Sequence, residues 1–420
     1  MIHVLVMGLP LAGGLALALL AERRRWAPPL AVALAVGAVL RLVVMLIAAQ
    51  DSWQPYDLAV DFRDTADAVR DGRDPLFELR EGGWHFLPFL AYLLAGVREL
   101  GELLGLSWEV TGRILPVLAD LALIPLVARL STDPSPEVRA RRGFLYACAP
   151  VVLGVSALHG QFGPITLALG VAALLAARNG RFHLAGVLIG LSVTSANWSA
   201  LLLPGVLLAL PAMRQRIAVV VWTAVVPLAF LFSSIPVFGT PLDRMPETLS
   251  ASLSARPVAG DWGWTAIATG GNQTVDAVYG TIGTPVLALA LLGALWWWRK
   301  ADPVSLTLAL LLVFLIVTYR FGAQYLAWPM PYLIMLWGRG TWPVYIGASI
   351  WAAFGYVYMT RLDGAGWADA HVWWALSSLL IIAFLIRALP AREPDRPPVS
   401  GRPESGDPGS AHEGAHSGVP

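Results

Sequence analysis

The sequence predicts an all-α membrane protein with about thirteen transmembrane helices. Of its 420 residues, 57% are hydrophobic, and the mean hydropathy is +0.64, whereas a soluble domain is about 45–50% apolar. Apolar stretches of about 17–25 residues recur from one end of the chain to the other, and this is the length of a helix that crosses a bilayer. Alternating segments of about ten residues, as in outer-membrane barrels, are not seen in the sequence. Helices are therefore the predicted spanning elements.

The predicted spans follow one another closely along the chain. They lie at 2–20, 29–49, 108–130, 142–158, 164–178, 183–197, 199–212, 217–236, 282–298, 303–319, 324–338, 342–359 and 371–389. The first has no charged segment before it and is followed by Arg23–Arg25, so we predict a retained span with its N-terminus outside. Several spans between 164 and 212 are shorter than about 17 residues, so we expect tilted, broken or partly inserted helices there.

The arginines between spans set the predicted orientation. Counted with these spans, six basic clusters fall on one side, which the positive-inside rule makes cytoplasmic: Arg23–Arg25; Arg139, Arg141 and Arg142; Arg178 and Arg181; Arg214 and Arg216; Arg299 and Lys300; Arg339. The exterior side then holds the long loops 50–107 and 237–281. Segment 84–104 is apolar enough to span, but counting it would move the later clusters outside. We therefore predict an interfacial or re-entrant helix there.

The remaining composition limits the classes of function. The polytopic domain is predicted to occupy 1–390, and 391–420, rich in Pro, Gly and Ser, is predicted to be a disordered cytoplasmic tail. A single cysteine, Cys148, excludes a disulfide framework and a cysteine metal site. The net charge of +1 gives no indication of nucleic-acid binding. Neither a P-loop nor a zinc-protease motif is present.

Six aspartates lie in the first predicted exterior loop at spacings of 4, 3, 3, 4 and 3 residues: Asp57, Asp61, Asp64, Asp67, Asp71 and Asp74. These spacings predict one face of a helix. For Asp64, Asp71 and Asp74 a solvated face, balanced by nearby arginines, is an equally good interpretation. Asp57 and Asp61 lie nearest the preceding span, where a partly desolvated carboxylate can take a proton from a hydroxyl.

Two further polar segments adjoin predicted spans on the exterior side. In HGQFG, His159 and Gln161 offer hydrogen-bond donors. In YRFGAQYLAWPMP, Arg320, Gln324 and Tyr325 combine a cation, an amide and an aromatic ring, which suits a phosphate or a sugar. The alternatives are a polar turn cap for the first segment and an aromatic belt with a snorkelling arginine for the second.

Three ionisable residues, Arg41, Arg113 and Asp120, lie within or near predicted spans. Ionisable groups are costly in a bilayer, so each is a functional hypothesis by default. Arg113 and Asp120 are seven residues apart and share a helical face. A bridge from either residue to another helix is at least as good an interpretation.

Taken in order, these segments resemble the GT-C superfamily of integral-membrane glycosyltransferases. They are most similar to polyprenyl-phosphate-mannose-dependent mannosyltransferases and to the GPI-anchor transferase that adds the first mannose. The similar segments cover roughly 50–340: VDFRDTADAVRDGRDPLF, WHFLPFLAYLL, GRILPVLAD, HGQFGPITLAL, AGVLIGLSVTSANWSALLLP and AQYLAWPMP. One departure stands out, because bacterial members carry a lysine where this chain has Ala196.

The resemblance implies a fold with a GT-C-like first exterior loop that carries interfacial helices, and it implies a reaction. In such enzymes an aspartate of this loop activates an acceptor hydroxyl, which displaces the phosphate of a polyprenyl-phosphate sugar with inversion. By motif position Asp61 is the implied base, and Asp57 is second. The implied substrate-binding residues are His85, His159, Gln161, Asn197, Arg320, Gln324 and Tyr325.

The expected function is therefore transfer of a hexose, with mannose favoured, to a lipid-linked or cell-envelope glycan at the exterior face of the cell membrane. The expected partners are the polyprenyl-phosphate donor, that acceptor and membrane lipids. No cofactor is implied for certain, although Asp57 and Asp61 leave a shared divalent cation open. Two alternatives stay open: a non-catalytic scaffold of an envelope assembly complex, and a lipid or sugar transporter with ionisable groups near the bilayer midplane.

Overall fold

The computed structural model describes residues 2–78, 84–247, 250, 258–338 and 340–391. Small parts of both predicted exterior loops, Arg339 and the predicted tail beyond Ala391 lie outside the described residues. Within the described part, the strands are β1 (Val258–Ala259) and β2 (Thr274–Val275), which pair antiparallel. Nearly everything else is helical, so the all-α prediction is confirmed.

The helices have the following bounds. The α-helices are α1 (Ile2–Arg23), α2 (Leu30–Ala49), α3 (Arg63–Arg70), α4 (Pro75–Glu78), α5 (Pro88–Leu103), α6 (Trp108–Leu130), α7 (Pro136–Ala147), α8 (Pro150–Leu153), α9 (Gly163–Arg178), α10 (Phe182–Ser195), α11 (Leu203–Leu208), α12 (Met213–Phe238), α13 (Gly263–Ala268), α14 (Ala277–Trp298), α15 (Pro303–Val317), α16 (Met330–Leu336), α17 (Thr341–Ala353) and α18 (Gly364–Arg387). The π-helical turns are Asp57–Phe62, Gly154–His159 and Phe354–Tyr358. The 3₁₀ turns are Asn197–Leu202, Leu242–Arg244, Ala323–Ala327 and Met359–Arg361.

Six of the described helices are long and apolar enough to cross a membrane: α1, α2, α6, α12, α14 and α18. A seventh span results if α7 and the segment Pro150–His159 are counted together, although they are bent by 45°. The bend has a sequence cause, because Pro150 lacks an N–H and favours extended backbone at Ala149. The predicted count of thirteen full spans is not confirmed.

Several predicted spans instead consist of short helices packed among the long ones. The predicted span 199–212 is a 3₁₀ turn followed by α11, and 324–338 is a 3₁₀ turn followed by α16. Each of these short α-helices has a proline in its first turn. At that position the missing N–H of proline costs nothing, but proline prevents a preceding helix from continuing through it. The predicted span 342–359 is α17 extended by a π-helical turn.

Polar contacts hold the helix ends together at one end of the bundle. Glu22 at the end of α1 pairs with Arg141 at 3.0 Å and with Arg142 at 3.4 Å on α7. The Arg142 guanidinium lies 4.1 Å from the Trp337 ring, which directly follows α16. We call this the basic end. At the other end, which we call the site end, Arg361 pairs with Asp51 just after α2.

A buried ion pair lies between these two ends. Arg41 on α2 donates to Asp120 on α6 at 2.8 Å, and both side chains are fully buried. Tyr146 and Ser156 each donate a hydroxyl to Asp120 at 2.7 Å, and Arg41 also donates to the Ala147 carbonyl at 2.9 Å. Burying such a pair is tolerable when further hydrogen bonds satisfy most of its polar atoms, and among the described residues only Arg41 Nη2 of this pair lacks a partner. The network therefore fixes α2, α6 and α7 to one another.

Arg113 does not pair with Asp120, although the two share α6. It donates to the Leu158 carbonyl at 2.9 Å and to the Gln54 side-chain oxygen at 2.8 Å. Both residues therefore bridge to other elements, and Arg113 fixes the segment that carries His159.

The acidic segment 57–74 is not one continuous helix face. A π-helical turn and α3 carry the aspartates as far as Asp67, and the chain then turns at Gly72 with φ +72°. Asp67 pairs with Arg98 of α5 at 3.1 Å, which ties α3 to α5, the helix in the segment predicted to be interfacial. Of the two interpretations left open for Asp74, the solvated face is wrong. It is buried, caps the Leu76 N–H at 3.0 Å and accepts from the Thr240 hydroxyl at 2.6 Å.

Candidate functional site

A cavity of about 380 Å³ at the site end brings distant parts of the chain together. Its wall includes every predicted site residue except His159: Asp57, Asp61, His85, Gln161, Asn197, Arg320, Gln324 and Tyr325. We call this the first cavity. Ala196, at the position where the resembling family has a lysine, also lines it.

Asp57 is held on one side of the first cavity by a chain of polar contacts. Its carboxylate accepts a hydrogen bond from the Gln161 amide and lies 3.4 Å from the His159 Nε2 atom. His159 in turn contacts the Tyr356 hydroxyl through Nδ1 at 3.0 Å. Burial alone would raise the pKa of Asp57, but His159 and Gln161 together outweigh it and hold that pKa below its usual value. Asp57 is therefore ionised at neutral pH.

Each of the three π-helical turns supplies one member of this chain: Asp57, His159 and Tyr356. A π-helical turn contains one more residue than an α-helical turn, and such turns are frequent at functional sites. His159 lies behind Asp57 and lines a second, neighbouring cavity rather than the first. The sequence gives no signal for Tyr356, which is 197 residues from His159.

Asp61 lies one turn further along the same π-helical segment and faces the first cavity. Among the described residues its carboxylate has no hydrogen-bond partner. Burial, followed by the negative charges of Asp57 and Asp64, raises its pKa to about 7. Two carboxylates four residues apart thus titrate in different pH ranges, a pattern that separates acid and base functions in active sites. Asp61 is the one suited to exchange a proton near neutral pH.

Arg320 supplies a positive charge to the same cavity. It follows α15, and its backbone carbonyl accepts from the Thr318 hydroxyl at 2.8 Å. Its guanidinium lies 5.4 Å from the Tyr319 ring. In the described part of the chain no acceptor bonds this guanidinium, and the amides of Gln324 and Asn197 also make no side-chain hydrogen bond there. These donors are available to a ligand.

Aromatic rings form the apolar side of the first cavity. Trp198 stacks on Trp328 with ring centroids 3.8 Å apart. Tyr325 also stacks on Trp328, with ring centroids 4.1 Å apart. Sequence analysis missed both tryptophans, although each is close to a predicted residue. Leu287 of α14 and Phe314 of α15 extend this wall. The cavity therefore has a polar side and an apolar side.

The turn after His159 requires glycine. Gly160 has φ +77°, a left-handed conformation that disfavours a side chain. A Cβ atom there would also lie 3.1 Å from Cγ of Arg113. The glycine therefore lets the backbone pass close to α6 and aims Gln161 at Asp57.

The residues do not fit a dedicated site for a divalent cation. Among the described residues no group of three or more His, Cys, Asp or Glu side chains is placed to hold a metal ion. Asp57 is already bonded to Gln161, and an all-protein cation site usually takes more than two carboxylates.

No protein-family model matches the chain, and no curated protein matches it significantly.

Proposed function

We propose that the protein is a membrane glycosyltransferase that moves a sugar from a polyprenyl-phosphate donor to an acceptor hydroxyl. One observation carries the proposal: the unbonded Asp61 carboxylate and the unbonded Arg320 guanidinium line the same cavity. The reaction needs a base for the acceptor and a cation for the departing phosphate. The order of the segments that resemble GT-C mannosyltransferases supports the same function and makes mannose the first sugar to test.

The proposed reaction is a single displacement. Asp61 accepts the proton of the acceptor hydroxyl while the hydroxyl oxygen attacks the anomeric carbon from the face opposite the phosphate. The bond from that carbon to the phosphate oxygen breaks, and the polyprenyl phosphate leaves with the electron pair. Arg320 stabilises the charge that develops on the phosphate. The product glycoside has the inverted configuration.

Asp57 has a supporting role in this scheme. Because Gln161 and His159 bond its carboxylate, Asp57 is a poorer proton acceptor than Asp61. Its fixed negative charge is one of the causes that raise the pKa of Asp61. A base with a pKa close to the working pH combines an adequate ionised fraction with an adequate proton affinity.

The apolar side of the first cavity suits the lipid part of the donor. Leu287 of α14 lines the cavity, and the same helix exposes Leu289 and Leu292, which are 70% and 61% accessible. A helix this exposed and this apolar faces lipid in a membrane protein. In our proposal the polyprenyl chain lies against α14, and the phosphate points to Arg320.

We place the basic end on the cytoplasmic side, in accord with the positive-inside rule. The first cavity then lies at the exterior face of the cell membrane. In this proposed topology the thirteen predicted segments are formed by long spanning helices and by shorter helices packed among them. A donor recognised by its phosphate and lipid needs no nucleotide-binding motif, and the sequence has no P-loop.

The test is transfer of labelled mannose from polyprenyl-phosphate-mannose in membranes that contain the wild-type protein or Asp61→Asn. Loss of a general base is expected to reduce transfer by about 10²- to 10⁴-fold. Asp64→Asn is the matched control, because Asp64 is exposed and is the next carboxylate along the chain. Equal transfer by Asp61→Asn and wild type would refute the assignment of the base. No transfer by wild type from any polyprenyl-phosphate hexose would favour the scaffold.

The transporter alternative rests on the buried charges of Arg41 and Asp120. Tyr146 and Ser156 complete the bonding of Asp120, and neither charged residue lines the cavities described here. A closed pair of this kind fixes helices rather than carrying a substrate, so the glycosyltransferase remains our proposal.

A further inference from the structure

A second cavity of about 250 Å³ adjoins the first. Gln324 lines both cavities, and His159 lies between Asp57 and the second one. The second cavity is built largely from chain segments that the first does not use, among them Asp261 and His371. Little more than the Gln324 side chain therefore separates the two cavities.

An aspartate–histidine pair forms the polar side of the second cavity. His371 is buried, and its ring contacts the Gly271 carbonyl at 2.9 Å and the Asp261 carboxylate at 2.7 Å. Both partners of the ring can accept hydrogen bonds. Gln273 donates to both carboxylate oxygens, at 3.3 and 3.2 Å. Among the residues that the structure describes, Asp261 Oδ2 contacts only Gln273, so it can accept another hydrogen bond.

Aromatic rings form the remaining walls of the second cavity. Trp367 stacks on the His371 ring with centroids 4.4 Å apart, and Trp53 and Trp374 line the cavity as well. Flat aromatic faces beside fixed acceptors complement a hexose, which has C–H groups on its ring faces and hydroxyls around its edge. A phosphate does not fit, because the Asp261 carboxylate would repel it.

We propose that the second cavity is a saccharide subsite that binds one hexose unit, with Asp261 and Gln273 bonding its hydroxyls and Trp367 packing on its face. In the proposed glycosyltransferase this unit belongs to the acceptor, and Gln324 is the side chain next to its reactive hydroxyl. That assignment as acceptor rests on the proposed function. The binding of a hexose does not.

The experiment titrates the full-length protein in lipid nanodiscs with the methyl glycosides of mannose, glucose and galactose. Saturation-transfer NMR detects binding, and tryptophan fluorescence gives the affinity. We expect at least one glycoside to bind and to change the fluorescence. Gln273→Ala, at an exposed position that should not disturb folding, is expected to weaken binding about fivefold, as for loss of one hydrogen bond. Trp367→Leu is expected to weaken it at least as much.

Arg320→Gln is the matched variant for the first cavity and should leave the affinity within about twofold, because Arg320 does not line the second cavity and its loss removes no contact to the hexose. Failure of all three glycosides to bind would overturn the subsite. So would weakening by Arg320→Gln together with unchanged binding by Gln273→Ala and Trp367→Leu. Binding without sugar transfer would leave the subsite standing and refute the proposed function, whereas transfer without glycoside binding would refute the subsite alone.

Discussion

The dependence of sugar transfer on pH follows directly from the environment of Asp61. Only the carboxylate form can accept the hydroxyl proton, and its pKa is raised to about 7 from an ordinary value of 3.8. With that pKa, about half of the molecules are active at pH 7, about a tenth at pH 6 and about nine tenths at pH 8. Transfer should therefore rise about tenfold per pH unit below pH 6 and level off above pH 8.

The assay measures initial rates of transfer at saturating donor from pH 5 to pH 8.5, with wild type and Asp64→Asn in parallel. The charge of Asp64 is one cause of the raised pKa, so its removal should shift the rising limb to lower pH without changing the plateau. A profile that is flat from pH 5 to pH 8 in the wild type would refute the reasoning. So would an Asp64→Asn profile displaced to higher pH.

The same pKa predicts an effect on stability whose sign can be checked independently of activity. The folded protein holds the Asp61 proton more tightly than the unfolded chain, so this residue's contribution to stability is full below about pH 4 and is lost as the pH rises through 7. Asp61→Asn should therefore melt at a higher temperature than wild type at pH 8, and the difference should shrink towards pH 5. A lower melting temperature for Asp61→Asn at pH 8 would contradict this.

Three further predictions concern other parts of the structure. Arg320→Lys keeps the charge but loses the planar fork of donors, and the rate of transfer should fall by roughly 10²-fold if the phosphate is stabilised there. Ala196→Lys places a second cation in the first cavity and should lower the KM for the donor; an unchanged KM would mean that the phosphate lies elsewhere. Asp120→Asn leaves the buried Arg41 charge unbalanced and should destabilise the fold by about 3–5 kcal/mol. Thermal unfolding in nanodiscs measures that loss, and Arg41→Met combined with Asp120→Leu should recover only part of it, because the buried Tyr146 hydroxyl then loses its acceptor.

The sequence predicts the positions of the helices better than their lengths. The hydrophobic pattern places both ends of α1, α2, α6 and α12 to within about four residues, because long apolar runs leave few alternatives. It fails where short apolar runs contain proline, as at Pro150, because hydropathy does not register a missing N–H or a bend. Counting spans from hydropathy therefore overestimates the number of helices long enough to cross a membrane.

The residues of the candidate site are likewise predictable from the sequence only in part. The aspartates and Arg320 are recognisable because charges beside apolar spans are conspicuous, and the resemblance to a known family connects them. Tyr356, Asp261 and His371 are not recognisable, because their importance arises only from contacts across more than a hundred residues of chain. The solvated-face interpretation fails for Asp74 because its spacing continues a helix that the turn at Gly72 has already ended.

The three π-helical turns make the candidate site sensitive to the number of residues in the chain as well as to their identity. Removing one residue between Asp57 and Phe62 would restore an α-helical turn, and each residue of an α-helix corresponds to a rotation of about 100°. Asp61 would then point away from the cavity even if every remaining side chain were retained. A single-codon deletion at any of these three turns should therefore be more harmful than most substitutions nearby. In the comparison of related chains, an alignment gap of one residue there would indicate a different site rather than a minor variation.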